Sequence, residues 1–228
     1  MTYTVFTSNQ PRHLALLQRL SHRDVIHAVI EPKSFAPGTG PVMQRYWTKV
    51  QSAERVGFPP TRPAYEMTCV AMGDVSKLGP EWFVERSLLS ADRFIVFGSS
   101  YITGWLAHFL IALGCLNLHG GLAPYYRGAA PNFWAAYDGR REYVGAQVQR
   151  LSKGLDAGEI LATTMPGMFA DGDTFLSGMQ AIKAGHDLMV DLLQSPEPWK
   201  PVMDNDRTLE IAYHRAADFT EAHAEKML

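Results

Sequence analysis

Cysteine is nearly absent from this chain. Two in 228 residues, Cys69 and Cys115, are too few and too far apart for a disulfide framework or a thiolate metal site, and no metal is expected. Both suit a reducing cytosol as small buried side chains, although sequence alone leaves a bond between them open. An excess of either charge is missing too: 21 Lys and Arg against 23 Asp and Glu give a net charge of −2 and a pI near 6.4. That balance removes the global attraction on which bulk nucleic-acid binding depends, so no nucleic-acid partner is expected. Long apolar runs are lacking. The best candidate, residues 102–118, is interrupted by Gly104, His108 and Gly114, which argues against a membrane span. The N-terminus has no basic region followed by an apolar stretch, so a cytoplasmic location is expected. Neither an internal repeat nor a low-complexity tract is present, and 228 residues suffice for one large domain with a real core.

What is present alternates. Apolar runs at 3–6, 25–30, 68–72 and 94–97 read as strands, with helical periodicity at 12–20, 44–56 and 105–113. Pro11 opens the first helix. Residues 32–41 hold three prolines and two glycines and read as a mobile loop. This pattern predicts an α/β fold: a Rossmann-like, mostly parallel sheet with helices on both faces. A helix over 131–137 follows, then β-prone runs at 144–151 and 159–164 joined by a turn, then a helix over 174–193 announced by Asp171-Gly172-Asp173-Thr174. The expected division is a domain over residues 1–195 and a C-terminal extension over 196–228, where the pattern is weak.

Polar residues interrupt this framework in one informative place. In Leu116-Asn117-Leu118-His119-Gly120 the strand period of two sends the Asn amide and the His imidazole to the same face. Further along, Gly154-Leu155-Asp156-Ala157-Gly158 places a glycine-flanked carboxylate on a turn. Such an Asp can orient an imidazole, and such an amide can steady an oxygen that gains negative charge during acyl transfer. His119 can serve as a base, or as a cationic donor if Asp156 favours its charged form, and Asp156 can act directly or through a water. Each residue alone has a plainer reading, as a hydrogen-bonded strand-end His, a turn-forming Asn and an ordinary turn Asp. Their order and spacing together favour a site.

Asn117-Leu118-His119, Pro124-Tyr125-Tyr126-Arg127-Gly128-Ala129-Ala130-Pro131, Trp134-Ala135 and Gly154-Leu155-Asp156-Ala157-Gly158 resemble the folate-dependent formyltransferases. The resemblance covers residues 94–161 well and the remainder in outline. It implies a catalytic Asn117, His119 and Asp156, and N10-formyltetrahydrofolate as the formyl donor. It assigns the folate to Ser99, Tyr101 and Ile102 after one strand and to Leu151 and Gly154 before Asp156. The competing reading of Tyr101 and Ile102 is that they pack the following helix. The chain departs from the family pattern in two places. Gly120-Gly121-Leu122-Ala123-Pro124 replaces a common Ser-Leu-Leu-Pro, and Ser152-Lys153 stands where an acidic residue is frequent.

For the acceptor, the turn Thr7-Ser8-Asn9-Gln10-Pro11-Arg12-His13 lacks the glycine-rich dinucleotide fingerprint, but its backbone amides and Arg12 can hold a phosphate. Ser8, Asn9, Gln10, Arg12 and His13, with Arg127, are therefore the candidate substrate contacts. Capping of the helix by Ser8 or Asn9 is the competing reading. Within the family the closer likeness is to sugar N-formyltransferases, which implies a nucleotide-linked amino deoxysugar as small-molecule partner. Glycinamide ribonucleotide, methionyl-tRNA and a formyltetrahydrofolate hydrolase are the alternatives; the acidic balance and the little room for a further barrel domain weigh against tRNA. The resemblance also leaves room for a homodimer with the C-terminal segment at its contact.

Overall fold

The computed structural model describes residues 1–33, 40–60, 65–166 and 172–228. The centre of the expected loop over 32–41, and Asp171 of the expected helix start, lie outside the described residues.

The first half alternates as its apolar runs require: β1 (Thr2–Ser8), α1 (Pro11–Ser21), β2 (Val25–Glu31), α2 (Pro41–Gly57), β3 (Glu66–Cys69), α3 (Pro80–Val84), β4 (Arg93–Phe97), α4 (Gly104–Ala112) and β5 (Leu116–His119). Then come β6 (Tyr126–Gly128), α5 (Pro131–Tyr137), β7 (Ala146–Arg150), β8 (Ile160–Thr164), α6 (Thr174–Gln194), β9 (Ala212–His214) and α7 (Glu221–Lys226). Seven strands form one sheet in the order β3-β2-β1-β4-β5-β7-β8, and the five from β3 to β5 are parallel. β7 and β8 join antiparallel.

The period of two along the central strands supplies a core on each face. Val5, Ile95, Phe97, Leu116 and Leu118 pack with Leu16, Leu17 and Leu20 of α1 and Met189 of α6. Phe6, Phe94, Val96 and Val29 pack with Leu106 and Leu110 of α4 and with Phe83 of α3. Burying both faces explains why these strands read as continuous apolar runs. The strand order reverses direction between β1 and β4, and in such sheets ligands bind beyond the carboxyl ends at that switch point.

The C-terminal segment folds back on the same body. β9 pairs with β6 in parallel, Val202 N–H donates to the Ile160 carbonyl at 2.8 Å, and His214 stacks on Trp134 at 3.7 Å between ring centroids. Cys115 is buried, as expected, and burial pushes its thiol pKa up. Cys69 corrects the expectation: it is exposed, because β3 is the outermost strand of the sheet among the described residues. Both cysteines are free. No described helix is long and apolar enough to cross a membrane.

Candidate active site

Asn117 and His119 lie at the carboxyl end of β5, on the face opposite Leu116 and Leu118, and both line a cavity of about 620 Å³. Asp156 reaches the same cavity from the loop between β7 and β8. Its Oδ1 lies 3.1 Å from His119 Nδ1, and its Oδ2 accepts the Gly128 N–H at 3.0 Å. At this distance the contact is direct. His119 Nε2 is buried, without a partner among the described residues.

The turn that carries Asp156 is held from several sides. Asp156 has φ of +49°, a left-handed conformation that Asp tolerates better than most side chains. Asn205 Nδ2 donates to the carbonyls of Asp156 at 2.9 Å and Gly158 at 2.8 Å, and Arg127 Nη2 donates to the Leu155 carbonyl. A Cβ at Gly158 would run into the Arg150 carbonyl oxygen, so only glycine lets the loop return this close to β7. Near His119, a Cβ at Gly121 would collide with Pro131 and come within 3.1 Å of Nε2. That crowding explains why glycine suits the place where the family pattern commonly has other residues.

Ser99, Tyr101, Ile102, Leu151 and Gly154 all line this cavity. Tyr101 Oη donates to the Lys153 carbonyl at 2.6 Å and so ties together the two loops assigned to the donor. Ile102 also packs in the α4-side core with Leu106 and Leu110, as the packing reading expected.

The acceptor corner differs from the expectation. Ser8 is fully buried and His13 is 3% exposed; Ser8 Oγ lies 2.5 Å from His13 Nδ1, and the ring stands edge-on to Phe97. Neither lines the main cavity: burial turns them toward each other, and desolvation holds the His13 pKa well below its ordinary value. Neither Ser8 nor Asn9 caps α1. The cap position is Gln10, without a side-chain bond, while Asn9 Oδ1 accepts the Lys33 N–H at 2.9 Å. Arg127 does not line the main cavity either; its side chain is 2% exposed and is engaged by Glu210 at 2.9 Å and by the Leu155 carbonyl. Arg12 lines the main cavity although Glu54 holds it at 2.8 Å. Asn9, Gln10 and Arg12 line a second cavity of about 270 Å³ with Lys33 and Arg55, and it shares Arg12 and Lys33 with the first.

Three residues went unread in the sequence. Lys33 bounds both cavities, and desolvation with the nearby Arg12 charge lowers its pKa. Glu31 is buried at the carboxyl end of β2, where Oε1 accepts the Gly73 N–H at 2.9 Å and the Ser100 hydroxyl at 2.8 Å, and Oε2 accepts the Ser100 N–H at 2.7 Å. It thus fixes the loop that carries Ser99 and Tyr101; the signal was an acid ending an otherwise apolar strand. Gln149, 1% exposed, lines the cavity directly opposite Asn117 in the β5–β7 pair. Polar residues alternating at 147 and 149 within a buried strand were its signal.

Comparison with known proteins meets this geometry. Residues 92–193, which include Asn117, His119 and Asp156, match the family described as Formyl transferase. The matched stretch is a little under half of the chain and holds all three residues of the candidate trio. A methionyl-tRNA formyltransferase of Trichormus variabilis is 36% identical over 107 residues, which is 46% of this chain and 31% of that protein. The match thus spans about a third of that curated relative's length. Two solved structures share the fold over nearly the whole chain. A sugar N-formyltransferase from Shewanella has a TM-score of 0.58 at 15% identity, covering 96% of this chain and 78% of its own. A 4-N formyltransferase from Francisella tularensis has a TM-score of 0.57 at 14% identity, covering 98% and 86%. At such identities the structural likeness concerns the α/β fold alone.

Proposed function

We propose that this formyltransferase moves a formyl group from N10-formyltetrahydrofolate to the amine of a nucleotide-linked amino deoxysugar, in the cytoplasm. The observation that carries the reading is the 3.1 Å approach of Asp156 Oδ1 to His119 Nδ1, which leaves Nε2 unpartnered at the cavity. An amine attacking a formyl carbon must lose a proton while oxygen gains charge. His119 Nε2 receives that proton, and Asp156 fixes the ring and its tautomer. The Asn117 amide donates to the oxygen, a role that needs no titration. Where the donor binds, it supplies an activated formyl group on a flat, amide-edged ring. A cavity with apolar Ile102, Leu151 and Leu155 beside the backbone of residues 98–102 fits such a ring. Arg12 and Lys33, at the shared boundary with the smaller cavity, are suited to the acceptor's phosphates.

The acceptor class rests on the Tyr-Arg-Gly-Ala-Ala-Pro stretch followed by Asn-Phe-Trp and on the absence of excess positive charge. A second reading, methionyl-tRNA as acceptor, is favoured by the 36% identity to the Trichormus protein. The deciding experiment incubates the protein and N10-formyltetrahydrofolate with dTDP-, GDP- and UDP-linked amino sugars and with methionyl-tRNA, and reads mass. One formyl group gained by an amino sugar supports the proposal. Gain on the tRNA alone replaces the acceptor, and formate release without any acceptor points to a hydrolase.

A further inference from the structure

Among the described residues, the buried side-chain nitrogens and oxygens without a partner are few, and only two belong to residues lining the main cavity: His119 Nε2 and Gln149 Oε1. The oxygen of Gln149 can be assigned by following its neighbour. Gln147 meets one backbone residue with both ends of its amide, Oε1 accepting the Ala123 N–H at 2.8 Å and Nε2 donating to the Ala123 carbonyl at 2.9 Å. That fixes which end of Gln147 is oxygen. Gln149 approaches this oxygen at 3.2 Å and must present its NH₂ there. Its own oxygen remains buried and, among the described residues, unmatched, which costs folding free energy unless a donor reaches it.

The strand register places this oxygen near the chemistry. Gln149 faces Asn117, and Gln147 faces His119, so Gln149 and His119 are diagonal neighbours on one face of the β5–β7 pair. Long side chains span that diagonal. Because Asp156 takes the Nδ1 side of the imidazole, Nε2 of the neutral ring is also an acceptor. The floor of the cavity thus presents two acceptors. A hydroxyl has one hydrogen and serves only one of them; a primary amine has two hydrogens and keeps its lone pair free.

We infer that Gln149 is a specificity-determining residue: its Oε1 takes one N–H of the acceptor amine while His119 Nε2 takes the other, aiming the nitrogen lone pair at the formyl carbon. This rests on the formyl-transfer reading above. In the transfer the amine nitrogen bonds to the formyl carbon, and the bond from that carbon to N10 breaks with its electron pair returning to N10. The hydrogen removed through His119 ends on N10. The hydrogen held by Gln149 stays on the product formamide.

The test uses two small nucleophiles that need no sugar pocket, hydroxylamine with two N–H hydrogens and N-methylhydroxylamine with one. Hydroxamate formation from N10-formyltetrahydrofolate is measured for wild type and Gln149→Leu, with tetrahydrofolate binding and thermal unfolding as controls. Gln149→Met, of similar volume, is used if the Leu variant does not fold. The wild-type preference for hydroxylamine is expected to fall about tenfold in the variant, the effect of one lost hydrogen bond. A preference unchanged within twofold, in a variant that folds and binds tetrahydrofolate, overturns the inference and leaves the formyl-transfer reading intact. Formate alone from wild type overturns amine selection. Neither hydroxamate nor formate from wild type removes the formyl-transfer reading and this inference with it.

Discussion

Two corners of one sheet edge hold similar chemistry and arrange it in opposite ways. At the turn after β1, a hydroxyl, an imidazole, a guanidinium and a carboxylate are matched within the protein: Ser8 with His13 at 2.5 Å and Arg12 with Glu54 at 2.8 Å. At the end of β5, His119 is held on one side only, and Gln149 keeps an unmatched oxygen beside it. Both corners contain a buried histidine. What separates them is that the atoms left over at the end of β5 belong to side chains lining the main cavity, whereas Ser8 and His13 pair with each other away from it.

The largest expected effect tests this contrast directly. His119→Ala should reduce formyl transfer by roughly 100- to 10,000-fold while thermal unfolding stays near wild type. His13→Ala should instead lower Tm and leave turnover per folded molecule within a few-fold. Equal losses of turnover in two well-folded variants would erase the distinction. Asn117→Ala should cost about 100- to 1000-fold in kcat, with little change in tetrahydrofolate affinity measured by titration calorimetry.

A third histidine sharpens the comparison through pH. His186 on α6 is fully buried, without a partner at either ring nitrogen among the described residues, and packed against Phe58 and Phe97. Desolvation first, and then the Arg19 charge, lower its pKa from 6.5 to about 3. The unfolded chain therefore takes up a proton near pH 6.5 and the folded chain only near pH 3. The stability is fully present above pH 6.5 and is lost as pH falls through that window, by up to about 1.4 kcal/mol per pH unit. His13 adds in the same direction. Denaturant melts at pH 7 and pH 5 should show the loss, and His186→Phe should flatten it; an unchanged slope would mean that His186 does not titrate on unfolding.

The smallest expected effect concerns Glu31. Glu31→Gln leaves one acceptor oxygen where the carboxylate serves Gly73 and Ser100 with two. The loop bearing Ser99 and Tyr101 should loosen, raising KM for N10-formyltetrahydrofolate up to about tenfold at nearly constant kcat. A KM indistinguishable from wild type would show that the Tyr101–Lys153 bond suffices to hold that loop.

Local periodicity made most of the framework readable. The helix at 131–137 appears with its expected bounds, and Asn117 and His119 share a face because a strand has period two. Asp156 was readable as a turn residue through its glycines, and the structure adds why Gly158 must be one. What stayed hidden depends on partners distant in sequence. Nothing local in Ser8 or His13 tells that they bury against each other, and Arg127 resembles a free cation until Glu210 arrives. The three-residue strands β6 and β9 are too short to carry a period, so their pairing was invisible, as was the exposure of Cys69 on an edge. Gln149 was missed because its meaning lies in an amide chain through Gln147 to Ala123.

The amide of Asn205 reaches back to two carbonyls of the turn that carries Asp156. It comes from beyond the stretch that matches the formyltransferase family, as do Glu210 beside Arg127 and the strand that flanks Gly128. A protein shortened after residue 195 would retain every proposed reacting group and yet lose the buttress behind its carboxylate. Engineering of this scaffold should therefore keep the segment beyond residue 195, because the placement of the Asp156 turn depends on it.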